Sequence, residues 1–155
     1  MKYSNPKKQR KFDLAYLHMA NEWGKLSHCN RRQVGALIIK DGMIISDGFN
    51  GTPSGFENDC EDETGTTKWY VLHAEANALM KLAKSGNKAN NATLYLTMSP
   101  CKECSKLILQ AGISRLVYIK KYKDHSGIDF LKSFGLEIEH IEDALIKKDE
   151  ENQNQ

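Results

Sequence analysis

Phe12, Ala15, Tyr16, Met19, Ala20 and Trp23 recur at three- and four-residue intervals, the spacing that gives a helix one buried face. The ten residues before them (MKYSNPKKQR) are polar and basic and are expected to stay loose until the helix begins; Gly24 lies near its end. Two apolar runs follow, residues 34–39 and 43–45, separated by Lys40-Asp41-Gly42. Asp-Gly tolerates the positive φ angles of a tight turn, so these runs predict an antiparallel hairpin. Residues 48–67 (GFNGTPSGFENDCEDETGTT) carry the glycines, proline and polar side chains of an extended loop. Loops of this length inside a compact domain are usually functional or mobile.

From Val71 the spacing turns helical again, with Ala76, Leu79, Met80 and Ala83 available for the core, and Ser85-Gly86-Asn87 ends that helix. Leu94-Tyr95-Leu96-Thr97 reads as a strand, Cys101 to Ala111 as a helix stopped by Gly112, and Leu116-Val117-Tyr118-Ile119 as another strand. A short helix over residues 128–134 leads to Leu136-Glu137-Ile138-Glu139, whose alternation suits a half-covered edge strand. Helical crossovers make the last three strands parallel. The expected fold is α/β, a three-layer α/β/α sandwich around a mixed five-stranded sheet. With no repeat and no linker, residues 1–155 read as a single domain with an ordered core over about 11–148 and a frayed polar tail, KKDEENQNQ.

Composition narrows the function classes. Forty per cent apolar and 27% charged residues are those of an ordinary globular protein. No apolar run approaches the roughly 20 residues that cross a bilayer, and no apolar segment follows the basic N-terminus, so a cytoplasmic location without a membrane partner is expected. A net charge of +2, with lysines and arginines scattered among nearly as many acids, argues against a nucleic-acid-binding specialist. A disulfide scaffold is not expected in such a cytosolic chain, so its four cysteines read as metal ligands or buried thiols.

Two short segments carry the chemistry: His73-Ala74-Glu75 at the start of one helix and Pro100-Cys101-Lys102-Glu103-Cys104 at the start of the next. Both helix starts lie at the same edge of the predicted sheet. Proline suits a helix start, and the positive end of a helix favours the thiolates that zinc requires. One imidazole and two thiolates make three ligands, leaving the fourth tetrahedral position open, as in catalytic zinc sites. Glu75, two residues past His73, is placed to exchange protons with an activated water. The residues alone leave open a structural zinc knot with Glu75 in solvent.

The pattern H-x-E followed by P-C-x-x-C resembles the signature of the zinc deaminases. Together with RRQVGALIIKDGMIISDGFNGTPSGFEN, HAEANAL, LYLTMSPCKECSKLILQAGI and YIKKYKD, it resembles the deoxycytidylate deaminases of the cytidine deaminase superfamily over roughly residues 11–142. The segment GFNGTPSG and Asn77 resemble that branch in particular. The resemblance implies one Zn2+ on His73, Cys101 and Cys104, with Glu75 as the proton shuttle. The reaction it implies is hydrolysis of dCMP to dUMP and ammonia, supplying dUMP for thymidylate synthesis.

Asn50 resembles the asparagine that bonds the sugar, its alternative being a turn residue in a left-handed conformation. Asn77 is expected to face the nucleotide, the alternative being a helix–loop hydrogen bond. Ser99 would line the base pocket, and Tyr122 would lie near the sugar-phosphate end unless it is an exposed loop tyrosine. Arg31, Arg32, Lys120 and Lys121 are phosphate candidates, with solvated surface charge as the alternative. Cys29 and Cys60 occupy the places of a second, structural zinc in some relatives. Residues 59–72 contain no histidine, however, so that site is incomplete and two buried or free thiols are the competing reading.

The resemblance further implies dCTP and dTTP as effectors, with Mg2+ accompanying the effector, and a homo-oligomer, hexamer or dimer. The competing readings are a tRNA adenosine deaminase, a free nucleoside or base deaminase, and a zinc-binding module without activity.

Overall fold

The computed structural model describes residues 2–145, in which Asn5 caps the first helix, α1 (Pro6–Gly24). The Asn5 side chain accepts from the backbone N–H groups of Lys7 and Lys8, and Pro6 fills a first-turn position that needs no donor. The helix therefore begins inside the ten residues expected to be loose. The Asn-Pro pair was its start signal, hidden by the polar residues around it.

The hairpin forms as expected: β1 (Gly35–Lys40) pairs antiparallel with β2 (Met43–Phe49), and Asp41 and Gly42 make the turn at φ of 50° and 76°. The chain continues through α2 (Ala74–Lys84), β3 (Thr93–Met98), α3 (Lys102–Gln110), β4 (Arg115–Lys120), α4 (Ser126–Ser133) and β5 (Glu137–His140). The five strands lie in the order β2-β1-β3-β4-β5, with β1 antiparallel to β3, and β3, β4 and β5 parallel. Of the expected ordered core, residues 146–148 lie outside the described residues, as does the polar tail.

Alternate residues of the central strands feed two cores. Ala36, Ile38, Leu94, Leu96, Leu116 and Tyr118 pack with Ala78, Leu79 and Leu82 of α2, Ile108 of α3, and Ile128 and Leu131 of α4. Leu37, Ile39, Tyr95, Val117 and Ile119 face the other way, onto Leu17 and Ala20 of α1 and onto Ile141 and Ala144. The layers are thus helices, sheet and helix, as the pattern implied.

Two helix faces differ from expectation. On α1 the buried stripe is Gln9, Asp13, Leu17, Ala20 and Gly24, while Met19 and Trp23 are exposed. Asp13 is buried because Arg115 of β4 meets it with two 2.8 Å bonds and the Tyr95 hydroxyl donates to it at 2.6 Å. A charged residue at the centre of a buried face is invisible to a hydrophobic pattern. On α2 the core takes Ala74, Ala78, Leu79 and Leu82 and leaves Met80 and Ala83 exposed.

Candidate metal centre and pocket

The N-terminal end of β1 and the C-terminal ends of β2, β3 and β4 share one edge of the sheet: Gly35 pairs with Phe49, Ala36 with Leu96, and Met98 with Lys120. The long loop after β2 returns to this edge through a two-bond bridge between Gly51 and Leu72. His73 then caps α2 in extended conformation. From β3 the chain runs through Ser99 and Pro100 to Cys101, which caps α3 and accepts from the Cys104 N–H. Two helix N-termini, from segments that do not adjoin in sequence, converge here.

His73 Nδ1 lies 3.6 Å from Cys101 Sγ and 3.4 Å from Cys104 Sγ, and the three donor atoms all lie within 4.8 Å of one another. Among the described residues these three form the one such group of potential metal ligands. Donors on a tetrahedron with zinc–nitrogen and zinc–sulfur bonds of about 2.0–2.3 Å stand about 3.3–3.8 Å apart, and both His73–sulfur distances fall in that range.

The sulfurs differ in proton affinity. Hydrogen bonding from Cys104, with His73 adding to it, pulls the Cys101 thiol down to about 4, while the same pairing and burial push Cys104 up. The Cys101 contact also raises the His73 pKa. A divalent cation among them would strip the remaining proton, because coordinating thiols ionise.

Glu75, on the first turn of α2, is buried with no basic side chain bonded to it. Burial pushes its carboxyl above the usual carboxylate range. It lines a cavity of about 210 Å³ together with His73, Cys101, Asn50, Ser99 and Tyr122.

Ser99 accepts from the Tyr122 N–H at 2.7 Å, tying the loop after β4 to the end of β3. The Arg32 guanidinium lies 5.1 Å from the Tyr122 ring centroid, a cation–π contact that joins two walls of the cavity. Asn50 bridges backbone rather than standing free: its Oδ1 accepts from Val34 N at 2.8 Å and its Nδ2 donates to Arg32 O at 2.8 Å. One N–H and one acceptor lone pair of that amide remain.

Not every expected residue reaches the cavity. Asn77 does not line it; its amide donates to Phe49 O at 2.7 Å and holds α2 against the end of β2. Arg31 and Arg32 are at the wall, but Lys120 and Lys121 are exposed away from it. Lys123 lines the cavity in their place, unpredicted because the turn beyond β4 decides which lysine faces inward. Glu61 also lines it, accepting from the N–H groups of Asn30 and Arg31 and fixing the arginine-bearing segment. Cys29 and Cys60 are joined by a disulfide of 1.98 Å, which corrects the expectation of free thiols or of a second zinc on that pair. Sulfurs bonded to each other have no thiolate to give a metal.

Residues 10–120 match the model of the cytidine and deoxycytidylate deaminase zinc-binding region. The dCMP deaminase of cyanophage S-TIM5, solved in complex with dCMP and dUMP, is 43% identical with a TM-score of 0.83, over 90% of this chain and all of that one. The deoxycytidylate deaminase of Enterobacteria phage T4 is 33% identical over 79% of this chain and 86% of its own. That of Saccharomyces cerevisiae is 33% identical over 82% of this chain and 44% of its own.

Proposed function

Because this chain belongs to the cytidine and deoxycytidylate deaminase family, we propose that it hydrolyses dCMP to dUMP and ammonia, supplying dUMP for thymidylate synthesis. The observation that carries this reading is the His73–Cys101–Cys104 cluster beside a buried carboxylate, Glu75, with His73, Cys101 and Glu75 lining one cavity. No helix among the described residues is long and apolar enough to cross a membrane.

His73, Cys101 and Cys104 would hold one Zn2+, which would supply the Lewis acidity that makes water nucleophilic near neutral pH. Glu75 is placed to take one proton from the attacking water and pass it to the ring N3 of cytosine, then to take the hydroxyl proton of the C4 adduct and pass it to the departing 4-amino group, which leaves as ammonia. Proton shuttling of this kind is worth about 10²–10⁴ in rate. Burial excludes bulk water from the exchange.

Arg31, Arg32 and Lys123 supply the positive wall that a monophosphate needs, and Tyr122 orients Arg32 through its ring. Asn50 presents its remaining N–H and lone pair to the sugar, and Ser99 fixes the loop that carries Tyr122. Regulation by dCTP and dTTP, with Mg2+ accompanying the triphosphate, and assembly as a homo-oligomer belong to the same proposal. Retention of GFNGTPSG supports the first.

Ammonia release from zinc-loaded protein tests the reading with dCMP, CMP, deoxycytidine and a tRNA anticodon stem-loop as substrates. Turnover of dCMP, weak or absent without the phosphate and lost in Glu75→Gln, is the expected result. Activity on the stem-loop alone would reassign the enzyme to RNA editing, and silence on all four would leave a structural zinc site. Added dCTP, dTTP and Mg2+, with light scattering, test regulation and assembly.

A further inference from the structure

Gly48 and Gly127 are buried in contacts that leave no room for a side chain, although neither has the positive φ that would demand glycine for its backbone. The requirement is therefore one of distance. A Cβ on Gly48 of β2 would overlap the Ala74 carbonyl oxygen and stand 2.7 Å from Ala78 N, both in α2. A Cβ on Gly127 of α4 would stand 2.7 Å from Pro100 O, 2.9 Å from the Cys101 carbonyl carbon and 2.5 Å from Ser105 Oγ.

These contacts fall on the two helix starts that bear the metal ligands. Gly48 seats the first turn of α2, with His73 and Glu75, directly on the sheet; Gly127 seats the first turn of α3, with Cys101 and Cys104, on α4. Each seat is held closed by a neighbouring bond: Ser46 Oγ donates to Ala78 O at 2.6 Å beside the first, and Ser105 Oγ donates to Cys101 O at 2.9 Å beside the second. Apart from Ser105 Oγ, the contacts meet backbone atoms, which cannot rotate away. An added methyl must therefore move a whole helix start, and the movement would carry one side of the ligand cluster and not the other.

We propose that Gly48 and Gly127 are positioning residues that set the separation of His73 from Cys101 and Cys104. This rests on the reading of those three residues as the zinc ligands. Positioning of ligands by their surroundings is typically worth 10–100-fold in metal affinity. A generic loss of stability would not produce that change in molecules that remain folded.

The test compares wild type, Gly48→Ala, Gly127→Ala and Leu17→Ala, the last a cavity on the opposite face of the sheet. Zinc affinity is read by competition with a chromophoric chelator. Co2+ substitution adds the visible bands of tetrahedral coordination, and circular dichroism reports folding. The expected result is a zinc dissociation constant raised about 10–100-fold in each glycine variant, with altered cobalt bands, and neither change in Leu17→Ala. If Gly48→Ala fails to fold, Gly127→Ala decides. Wild-type affinity and spectra in the folded glycine variants would overturn the proposal, as would equal changes in Leu17→Ala. Failure of both variants to fold with zinc present would also overturn it, making the contacts requirements of the fold alone. Wild type that takes up no metal would instead refute the ligand assignment on which the proposal rests.

Discussion

Asp13 and Glu75 are both buried carboxylates, 1% and 4% exposed, and their surroundings send them in opposite directions. Burial pushes both toward the neutral form. At Asp13 it is outweighed by Arg115, Tyr95 and Gln9, whose bonds hold the carboxyl below the usual carboxylate range. Arg115 is itself shared with Glu137 and Glu139 of β5, so the cluster ties α1 to three neighbouring strands. At Glu75 the His73 ring and the Cys104 thiol offset the burial only in part, and the carboxyl is pushed up. A buried acid bonded to a guanidinium fixes structure, whereas one without such a salt bridge is free to take and give protons.

The sharpest way to break this contrast is to neutralise each acid in turn. Glu75→Gln is expected to lower ammonia release about 10²–10⁴-fold while leaving the urea midpoint close to that of wild type. Stability loss without loss of rate would reverse the roles assigned to the two residues. Arg115→Met leaves the buried Asp13 carboxylate without its cation and is expected to cost about 3–5 kcal/mol in urea unfolding, and Asp13→Asn, after which Arg115 keeps Glu137 and Glu139, somewhat less. Zinc affinity of the folded protein should be unchanged, and the double replacement Asp13→Leu/Arg115→Met should recover part of the loss. Tyr95→Phe removes one bond to the same carboxylate and should cost less, about 1.5–3 kcal/mol.

Acid titration sharpens the comparison from another side. A carboxyl with a depressed folded-state pKa contributes stability that is full above its unfolded value, near ~3.9, and lost as pH falls through the folded one. Wild type should therefore lose more stability than Asp13→Asn between about pH 4 and 2, as measured by urea midpoints across that range. Parallel curves would remove the charge from Asp13. The smallest effect expected is that of Asn5→Ala, about 1 kcal/mol from the lost cap of α1, with no change in the acid limb.

Signals confined to a few residues were legible in the sequence. The Asp41-Gly42 turn and the two helix-start motifs depend on neighbours within one turn or one hairpin, and the parallel run of the last three strands follows from the helices between them. What the pattern missed depends on partners far away. Asp13 belongs in the core only because Arg115 arrives from β4, 102 positions later, so the buried face of α1 could not be read from its apolar residues.

Lys123 and not Lys121 faces the cavity because of how the loop after β4 is tied to Ser99. Asn77 donates to Phe49 O at the end of β2, a partner 28 positions away. The Cys29–Cys60 bond joins positions 31 residues apart, and composition argued against it. The Asn5-Pro6 start of α1 was a local signal and could have been read.

The pairing of β1 with β3 has a consequence for the order of events in folding. The Gly35 N–H bonds Thr97 Oγ1 across 62 positions, and the antiparallel ladder beside it joins residues 36–39 to 93–96. His73 rides on the β1–β2 side of that seam and the two cysteines follow β3. The hairpin and the helices can form within microseconds, but the seam must first close a long loop, and such non-local pairing is slow. The three ligands therefore meet only after the central strands have docked. Capture of a metal by all three ligands follows sheet closure, because until β3 has paired the imidazole of His73 and the Cys101–Cys104 pair are held apart.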